Sequence, residues 1–377
     1  MSFNRIRRFS VKTHANDLGG KIWNPLQIWE WKHAVFVELE TADGVVGTGE
    51  SWCFDNRPDA LVAFIRSEVA PHVVKADADD LEAITTARNR FATLSARHGM
   101  LSSALSAVDI AIWDIRAQKS GRPLWRVLNP DGPGKAVCYA SGGLYGQAGS
   151  PSLLGAEMAR LSGRFRTVKF KIGGLSEAED LERVNSVLAA LPDDTRLIID
   201  CVYSYTYEQF CRLFEKLPQH RIEAVQSPIP AADYRNMARL TAAGIPVMAN
   251  EAEYRAELHE ELVHRRAVRF LQVAPIACGG ISRLRALAGL TRGTSVELSL
   301  EVSSTALALT AAAQFAASEN QVAHVEYHTI HDVFFDWLSI CRLPKANGEY
   351  MPPAAPGLGF SLAGLDVEPA FEMRDYP

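Results

Sequence analysis

Two lysines stand two residues apart in "TVKFKIGG" (residues 167–174), a segment otherwise typical of a β-strand. Because alternate strand residues point to one face, Lys169 and Lys171 are expected side by side. On a solvated antiparallel strand such a pair has no chemical role. In a buried site, desolvation and like charge lower a lysine pKa, so that one amine can act as a general base or form a Schiff base.

The strand-like segments that follow also end in or contain polar residues. These are Asp200, Gln226, Asn250 and Glu251, Gln272, then Glu297, Ser299 and Glu301, and finally Glu326 and His328. Carboxylate and amide oxygens beside lysines suit a hard divalent cation, which favours Mg²⁺ over zinc.

Each of these residues also has a structural interpretation. Asp200 could cap the next helix or turn, Gln226 could be a satisfied core amide, and Glu251 could pair with Arg255. Glu301 could cap the helix "SSTALALTAAAQFAAS" or pair with an arginine, and Glu326 could be structural.

The elements that must position these residues form a regular series. Eight short apolar strands alternate with amphipathic helices: "AVCYAS", "TVKFKIG", "RLIIDCV", "EAVQSP", "PVMANE", "RFLQVAP", "SVELSLE" and "AHVEYH". This rhythm predicts a (β/α)₈ barrel of the TIM type. Parallel barrel strands have no solvated face, so the lysine pair is expected inside, near the C-terminal mouth.

The N-terminal part has a different order, strands first and then helices, which predicts an α+β domain. "TADGVVG" carries an Asp-Gly hairpin signal, and "SALSAVDIAIWDIRAQKSG" has helical periodicity. We therefore predict a capping domain at residues 1–130, the barrel at 131–342, and a C-terminal segment at 343–377 that packs back on the capping domain.

Composition narrows the class of protein. The 377 residues are 47% hydrophobic and 22% charged, with a net charge of -5, which favours neither a nucleic-acid nor a membrane partner. The six cysteines form no CxxC pair, and the N-terminus has no apolar signal-peptide core. A cytoplasmic protein with reduced thiols is expected.

Several motifs in order resemble one family. "VKFKIGG" is similar to a Lys-x-Lys motif, "AVQSPIPAADYRNMARL" and "GIPVMANEAEY" to metal-ligand segments, and "CGGISRLRALAGL" to a glycine pair after the sixth barrel strand. "TADGVVGTGES" and "SALSAVDIAIWDIRAQKSGRPLWRVL" resemble its capping domain. Over nearly its whole length the chain resembles the enolase superfamily, closest to the mandelate racemase/muconate lactonizing enzyme branch.

The resemblance implies roles for individual residues. Lys171 would be the general base that takes the proton from the carbon next to a carboxylate. Lys169 would keep Lys171 neutral and contact the substrate carboxylate. Glu326 would bind substrate by donating to the enediolate.

The resemblance also implies a metal site. Asp200, Gln226 and Glu251 fall on the three metal-ligand positions, and the Mg²⁺ there would stabilise the enediolate. Gln226 replaces the usual glutamate and removes one negative charge, which should lower the affinity for Mg²⁺.

Other departures concern the acid/base groups. Val202 stands where the family often has asparagine, and Ala274 and Glu301 stand where the racemase branch has an Asp and a His. The two-base dyad is therefore absent, and Glu301 is the one residue that could act as the second acid/base group opposite Lys171.

These observations predict an enzyme, a lyase or isomerase that acts on a small carboxylic acid as a dehydratase or a racemase/epimerase. Homo-oligomerisation is also expected from the family. One alternative is a non-catalytic or altered homologue that binds a small ligand with weak or no metal binding. A Schiff-base lyase, which borohydride trapping would reveal, is the third hypothesis.

The segments "NDLGGKIWNPLQIWEWKH" and "SWCFDNRPD" are predicted to be capping loops that close over the substrate. Their aromatic residues, Trp23, Trp29, Trp31 and Phe54, indicate either an apolar or ring-bearing substrate or a domain interface.

Overall fold

The structure is a computed structural model that describes residues 4–53, 57–80, 98–146, 150–251, 253–329 and 346–375. Phe54, one of the predicted capping-loop residues, lies outside these ranges. None of the helices in the described part of the chain combines the length and apolar character that a membrane crossing requires.

The N-terminal region forms a four-stranded antiparallel sheet. Its strands are β1 (Ile6–Asn24), β2 (Gln27–Thr41), β3 (Val46–Ser51) and, from the C-terminal segment, β13 (Glu368–Arg374), in the order β13-β1-β2-β3. Strands β1 and β2 pair along almost their whole length, up to Asn24 opposite Gln27. The prediction that "NDLGGKIWNPLQIWEWKH" is a loop is therefore wrong, because this segment is the outer half of a long β-hairpin.

Helices cover one face of this sheet. They are α1 (Pro58–Phe64) and α2 (Ala70–Val73), joined by a π-helical turn at Ile65–Val69, and the long α3 (His98–Lys119). Gly49 lets α3 lie directly on β3, since a Cβ there would come within 1.9 Å of the Ala107 carbonyl oxygen. Together the sheet and helices form the predicted α+β capping region.

The remaining strands confirm the predicted barrel. They are β4 (Ala136–Ser141), β5 (Thr167–Lys171), β6 (Arg196–Asp200), β7 (Ile222–Gln226), β8 (Val247–Ala249), β9 (Phe270–Val273), β10 (Glu297–Leu300) and β11 (Val322–His328). All are parallel neighbours in sequence order, and β11 pairs with β4 to close the barrel. A short strand, β12 (Glu349–Tyr350), adds antiparallel to β4.

The helices between these strands form the outer layer. They are α4 (Leu124–Leu128), α5 (Pro151–Ser162), α6 (Glu177–Ala190), α7 (Tyr207–Phe214), α8 (Tyr234–Ala242), α9 (Ala256–His264), α10 (Gly280–Thr291) and α11 (Ala306–Ala316), with 3₁₀ turns at Gln219–Arg221 and Ala346–Gly348. Capping boxes begin α6 at Ser176 and α7 at Thr206. The main core fills the space between these helices and the outer faces of the barrel strands.

Candidate active site

Strand register brings three of the predicted site residues into one row. Lys171 of β5 lies opposite Asp200 of β6, which lies opposite Gln226 of β7. Each is the last residue of its strand, so all three stand at the C-terminal mouth of the barrel. Their side chains are buried, as are those of Lys169, Glu301 and Glu326. We call these six residues, together with Glu251, the mouth cluster.

Lys169 is the most heavily paired residue of the cluster. Its Nζ donates to Gln226 Oε1 at 2.8 Å and lies 2.6 Å from Glu326 Oε1 and 3.9 Å from Asp200 Oδ2. Burial by itself lowers the pKa of Lys169, but the negative field of these carboxylates, Glu326 foremost, raises it well above its ordinary value. Lys169 is therefore held as an ammonium.

Glu326 is the counter-charge in this pair. Burial raises its pKa, yet the charge of Lys169 and hydrogen bonds from Lys169 and Ser141 bring the pKa below its ordinary value. An ionised Glu326 accepts hydrogen bonds, whereas the family resemblance implies a donor to the enediolate. The structural interpretation of Glu326 and its predicted substrate contact both remain compatible with this position.

Lys171 contacts a single carboxylate, because its Nζ donates to Asp200 Oδ2. Asp200 Oδ1 accepts from the backbone N–H of Val202 at 3.1 Å. Asp200 does not cap the next helix, whose N-cap is Thr206, but this bond caps the turn at Val202 and Tyr203, as the structural interpretation allowed. The backbone beside the row is strained: Val202 has a φ of 48° and Ser227 also 48°, a left-handed conformation that is rare for residues other than glycine.

Glu251 follows β8 and meets Gln226. The Gln226 side-chain amide donates to Glu251 Oε2 at 2.8 Å, so both ends of this amide are hydrogen-bonded. Burial, reinforced by the charge of Asp200, raises the pKa of Glu251 to about 7. The suggested pairing of Glu251 with Arg255 is wrong, since Arg255 pairs with Glu253 at 3.0 Å.

Glu301 stands just past the end of β10. It does not cap α11, whose N-cap is Thr305, and among the described residues it forms no ion pair with an arginine. Burial, and then the charges of Glu326 and Glu251, raise its pKa well above the ordinary value. Its Oε2 is buried without a hydrogen-bond partner among the residues that the structure describes. Both influences favour the protonated form of Glu301.

Other polar strand residues have structural positions. Glu297 begins β10, at the opposite end of the barrel, and pairs with Arg269. Asn250 is hydrogen-bonded to the Tyr203 hydroxyl and to the Ala231 carbonyl, each at 2.8 Å. His328 lies buried near the lysines, and burial, followed by their charge, lowers its pKa well below the ordinary value.

The predicted metal ligands come together as an all-oxygen set. Asp200, Gln226 and Glu251 supply two carboxylates and an amide oxygen. Lysine side chains contact Asp200 and Gln226, whereas Glu251 contacts Gln226. No group of three or more His, Cys, Asp or Glu suited to a metal ion occurs in the described ranges. The donor set fits a hard cation. It carries less negative charge than three carboxylates would provide. Metal binding by these residues stays a prediction.

The capping region is attached to the mouth at several points. Trp23 stacks on Tyr145, with ring centroids 4.4 Å apart, and the two backbones exchange hydrogen bonds of 3.1 Å. On the other side, the Trp52 N–H donates to the Ile276 carbonyl at 3.0 Å. Trp23 thus belongs to a domain interface, while Trp31 is 46% exposed.

Sequence inspection missed one charged residue at this junction, Lys32 of β2. Its side chain is 7% exposed and lies in the electrostatic field of Glu301, Glu50 and Glu326. The alternation of β2 around Lys32 is visible in the sequence. The sequence does not show which face of β2 meets the barrel, because that depends on how the capping region docks on the barrel.

Two family models match the chain. The model described as "Mandelate racemase / muconate lactonizing enzyme, N-terminal domain" matches residues 26–129, and the model "Enolase C-terminal domain-like" matches residues 154–366. Together they cover the capping region and most of the barrel.

Curated relatives match over most of their length. An arabinonate dehydratase from Saccharolobus solfataricus is 27% identical over 87% of this chain and 88% of its own. A D-galactarolactone cycloisomerase from Agrobacterium fabrum is 28% identical over 90% and 92%.

Solved structures share the fold. The L-talarate dehydratase from Polaromonas sp. JS666, complexed with Mg and L-glucarate, aligns with a TM-score of 0.82 at 23% identity, covering 98% of each chain.

Proposed function

Because the chain belongs to the mandelate racemase/muconate lactonizing enzyme branch of the enolase superfamily, we propose that it is an acid dehydratase with Lys171 as its base. The wider class is a lyase or isomerase that removes the proton next to a carboxylate. The curated relatives include dehydratases, a cycloisomerase and epimerases, all consistent with this class.

One observation carries the proposal: two lysines from one strand are buried at the barrel mouth among four carboxyl groups. Such an arrangement has no need to exist for stability, because buried charges are costly even when paired. It supplies, within one cavity, a base, a cation for the substrate carboxylate and a protonated acid.

Asp200, Gln226 and Glu251 are the residues that would hold Mg²⁺, and the talarate dehydratase structure of the same fold contains Mg. When bound, the cation would stabilise negative charge that develops on the substrate carboxylate. Gln226 contributes no charge, so we expect weaker binding than a glutamate would give.

The protein groups divide the remaining work. Lys169, held as an ammonium by Glu326, orients the substrate carboxylate. Lys171 releases a proton to solvent as it leaves Asp200, and its neutral amine then takes the α-proton, so that the C–H electron pair moves toward the substrate carboxylate and forms an enediolate. Glu301 gives its proton to the hydroxyl on the next carbon, so that the C–O bond breaks, water leaves and an enol forms. The enol then becomes a keto acid, and Lys171 and Glu301 return to their starting states by proton exchange with solvent.

A second candidate function is that of a homologue without turnover that binds a small ligand. It is favoured by Gln226, whose amide is satisfied on both sides as a core amide would be. The absence of catalysis and of Mg²⁺ binding in both the wild-type protein and Gln226→Glu would select this candidate.

The test is a screen of aldonic and aldaric acids for production of keto acid in the presence of Mg²⁺. We expect the wild-type protein to dehydrate one or more of these acids. The Lys171→Ala protein should dehydrate none of them. A matched control is Lys12→Ala, which removes a lysine of β1 whose partner is Glu38 at 2.8 Å, away from the mouth. A fully active Lys171→Ala protein would refute Lys171 as the base.

A further inference from the structure

Strand β2 has one face directed at the barrel. Ala34 and Phe36, two residues apart on this face, pack with Leu307 of α11. Glu50 of β3 lies opposite Phe36 and bonds to the loop after β10: it accepts from Ser304 and, at 2.5 Å, from Thr305. By strand alternation Lys32 points the same way as Ala34 and Phe36. Its side chain is therefore directed toward the loop that carries Glu301.

Lys32 is buried there without a direct partner. Its side chain forms no hydrogen bond and no ion pair with the residues that the structure describes, although Glu301, Glu50 and Glu326 all act on it electrostatically. Desolvation is the largest influence on Lys32 and lowers its pKa. An ammonium group so placed is costly unless an anion meets it.

The neighbouring carboxyl groups are already engaged. Glu50 receives hydrogen bonds from Ser304, Thr305 and the Ala308 N–H. Glu326 is bound by Lys169, and Glu301 forms no ion pair with Lys32 in the part of the chain that the structure describes. The other two lysines of the cavity are paired with carboxylates of the mouth cluster. Lys32 is thus the one cation of this cavity, within the described ranges, whose counter-ion the chain itself does not provide.

We propose that Lys32 binds a second carboxylate of the substrate, so that the enzyme prefers dicarboxylic acids to monocarboxylic acids of the same length. The inference rests on the proposed function, because it places the first carboxylate at Lys169. The substrate would then extend from the barrel mouth to the underside of the capping sheet. Glu301 lies on the path between the two ends, where a hydroxyl next to the reacting carbon would pass.

Calorimetry on matched acids tests this without turnover. The pairs succinate and butyrate, glutarate and pentanoate, and adipate and hexanoate each differ in the second carboxyl group, and none has a hydroxyl group that could be eliminated. In buffer with Mg²⁺ we expect the wild-type protein to bind the diacid of at least one pair about tenfold more tightly than its partner. Lys32→Met should abolish this preference and leave the affinity for the monoacid unchanged.

The matched control is Lys12→Met, which removes a lysine from the same face of the sheet that is already paired with Glu38 and should retain the preference. Lys32→Met should also be at least as resistant to thermal unfolding as the wild type, since it removes a buried charge. A wild-type protein without preference in any pair, or a Lys32→Met protein that keeps it, would overturn the proposal.

The two proposals fail separately. If the diacid preference depends on Lys32 but no acid is dehydrated, the proposed function fails and the binding role of Lys32 stands. Turnover could depend on Lys171 while the Lys32→Met protein has the same ratio of diacid to monoacid turnover as the wild type. In that case only the Lys32 proposal fails.

Discussion

Asp114 and Glu301 are both buried carboxyl groups whose pKa is raised by burial, but their surroundings differ. Asp114 of α3 accepts from the Thr48 N–H at 3.0 Å and the Leu358 N–H at 2.7 Å, which joins the helix to β3 and the C-terminal segment. Glu301 has an oxygen to which no described residue donates. The satisfied carboxyl group connects elements, whereas the unsatisfied one is available for a substrate.

This contrast predicts opposite results for the same chemical change. Glu301→Gln keeps the shape of the side chain and removes the transferable proton, so turnover should fall by about 100-fold. The midpoint of thermal unfolding should stay close to that of the wild type, because burial favours the uncharged form of the side chain it replaces. Steady-state kinetics and calorimetry measure both. Unchanged turnover would remove Glu301 from the mechanism.

Asp114→Asn should have the reverse effect. The new amide turns an N–H group toward one of the backbone donors, and a buried unsatisfied donor costs about 2 kcal/mol. The free energy of unfolding should fall by about that amount in urea titrations, while kcat/KM per folded molecule stays unchanged. A loss of activity without a loss of stability would reverse the roles assigned to the two carboxyl groups.

The metal site provides a smaller effect. Gln226→Glu restores a negative charge between Asp200 and Glu251, and Mg²⁺ should bind about tenfold more tightly by calorimetry. Gln209→Glu adds the same charge in the exposed capping box of α7 and is the control. Equal Mg²⁺ affinity in the wild type and Gln226→Glu would argue against Gln226 as a ligand.

The pH dependence of stability provides a further test of the role of Asp114. Burial raises the pKa of Asp114 to about 7 from 3.8, so the folded state binds a proton that the unfolded state has lost. The free energy of unfolding should therefore fall as pH rises from about 4 to about 7, by up to about 1.4 kcal/mol per pH unit, and level off above. Asp114→Asn should lack this component. Identical slopes in the two proteins would show that Asp114 is not the titrating group.

The sequence was sufficient for the barrel because each strand is a short apolar run whose end is marked by polar residues. Lys171, Asp200 and Gln226 could be placed in one row because parallel strands align their ends. The pairing of Lys169 with Glu326, which raises rather than lowers the lysine pKa, could not be predicted, since it depends on the distance across the barrel.

The capping region was less accessible to prediction. The segment from Asp17 to Trp31 contains two glycines and a proline, which are typical of a loop, yet long-range pairing and the contact of Trp23 with Tyr145 make it a hairpin. The position of Lys32 follows from docking of this sheet on the barrel. Local propensity carries no information about such docking.

Deuterium exchange tests the central claim most directly. The wild-type protein, incubated in D₂O with Mg²⁺ and the acids it dehydrates, should incorporate deuterium next to the carboxylate of remaining substrate or eliminate water, as followed by proton NMR. Lys171→Ala should do neither, with rates lower by about 1,000-fold or more. Exchange or elimination at the wild-type rate in folded Lys171→Ala would contradict the assignment of Lys171 as the base.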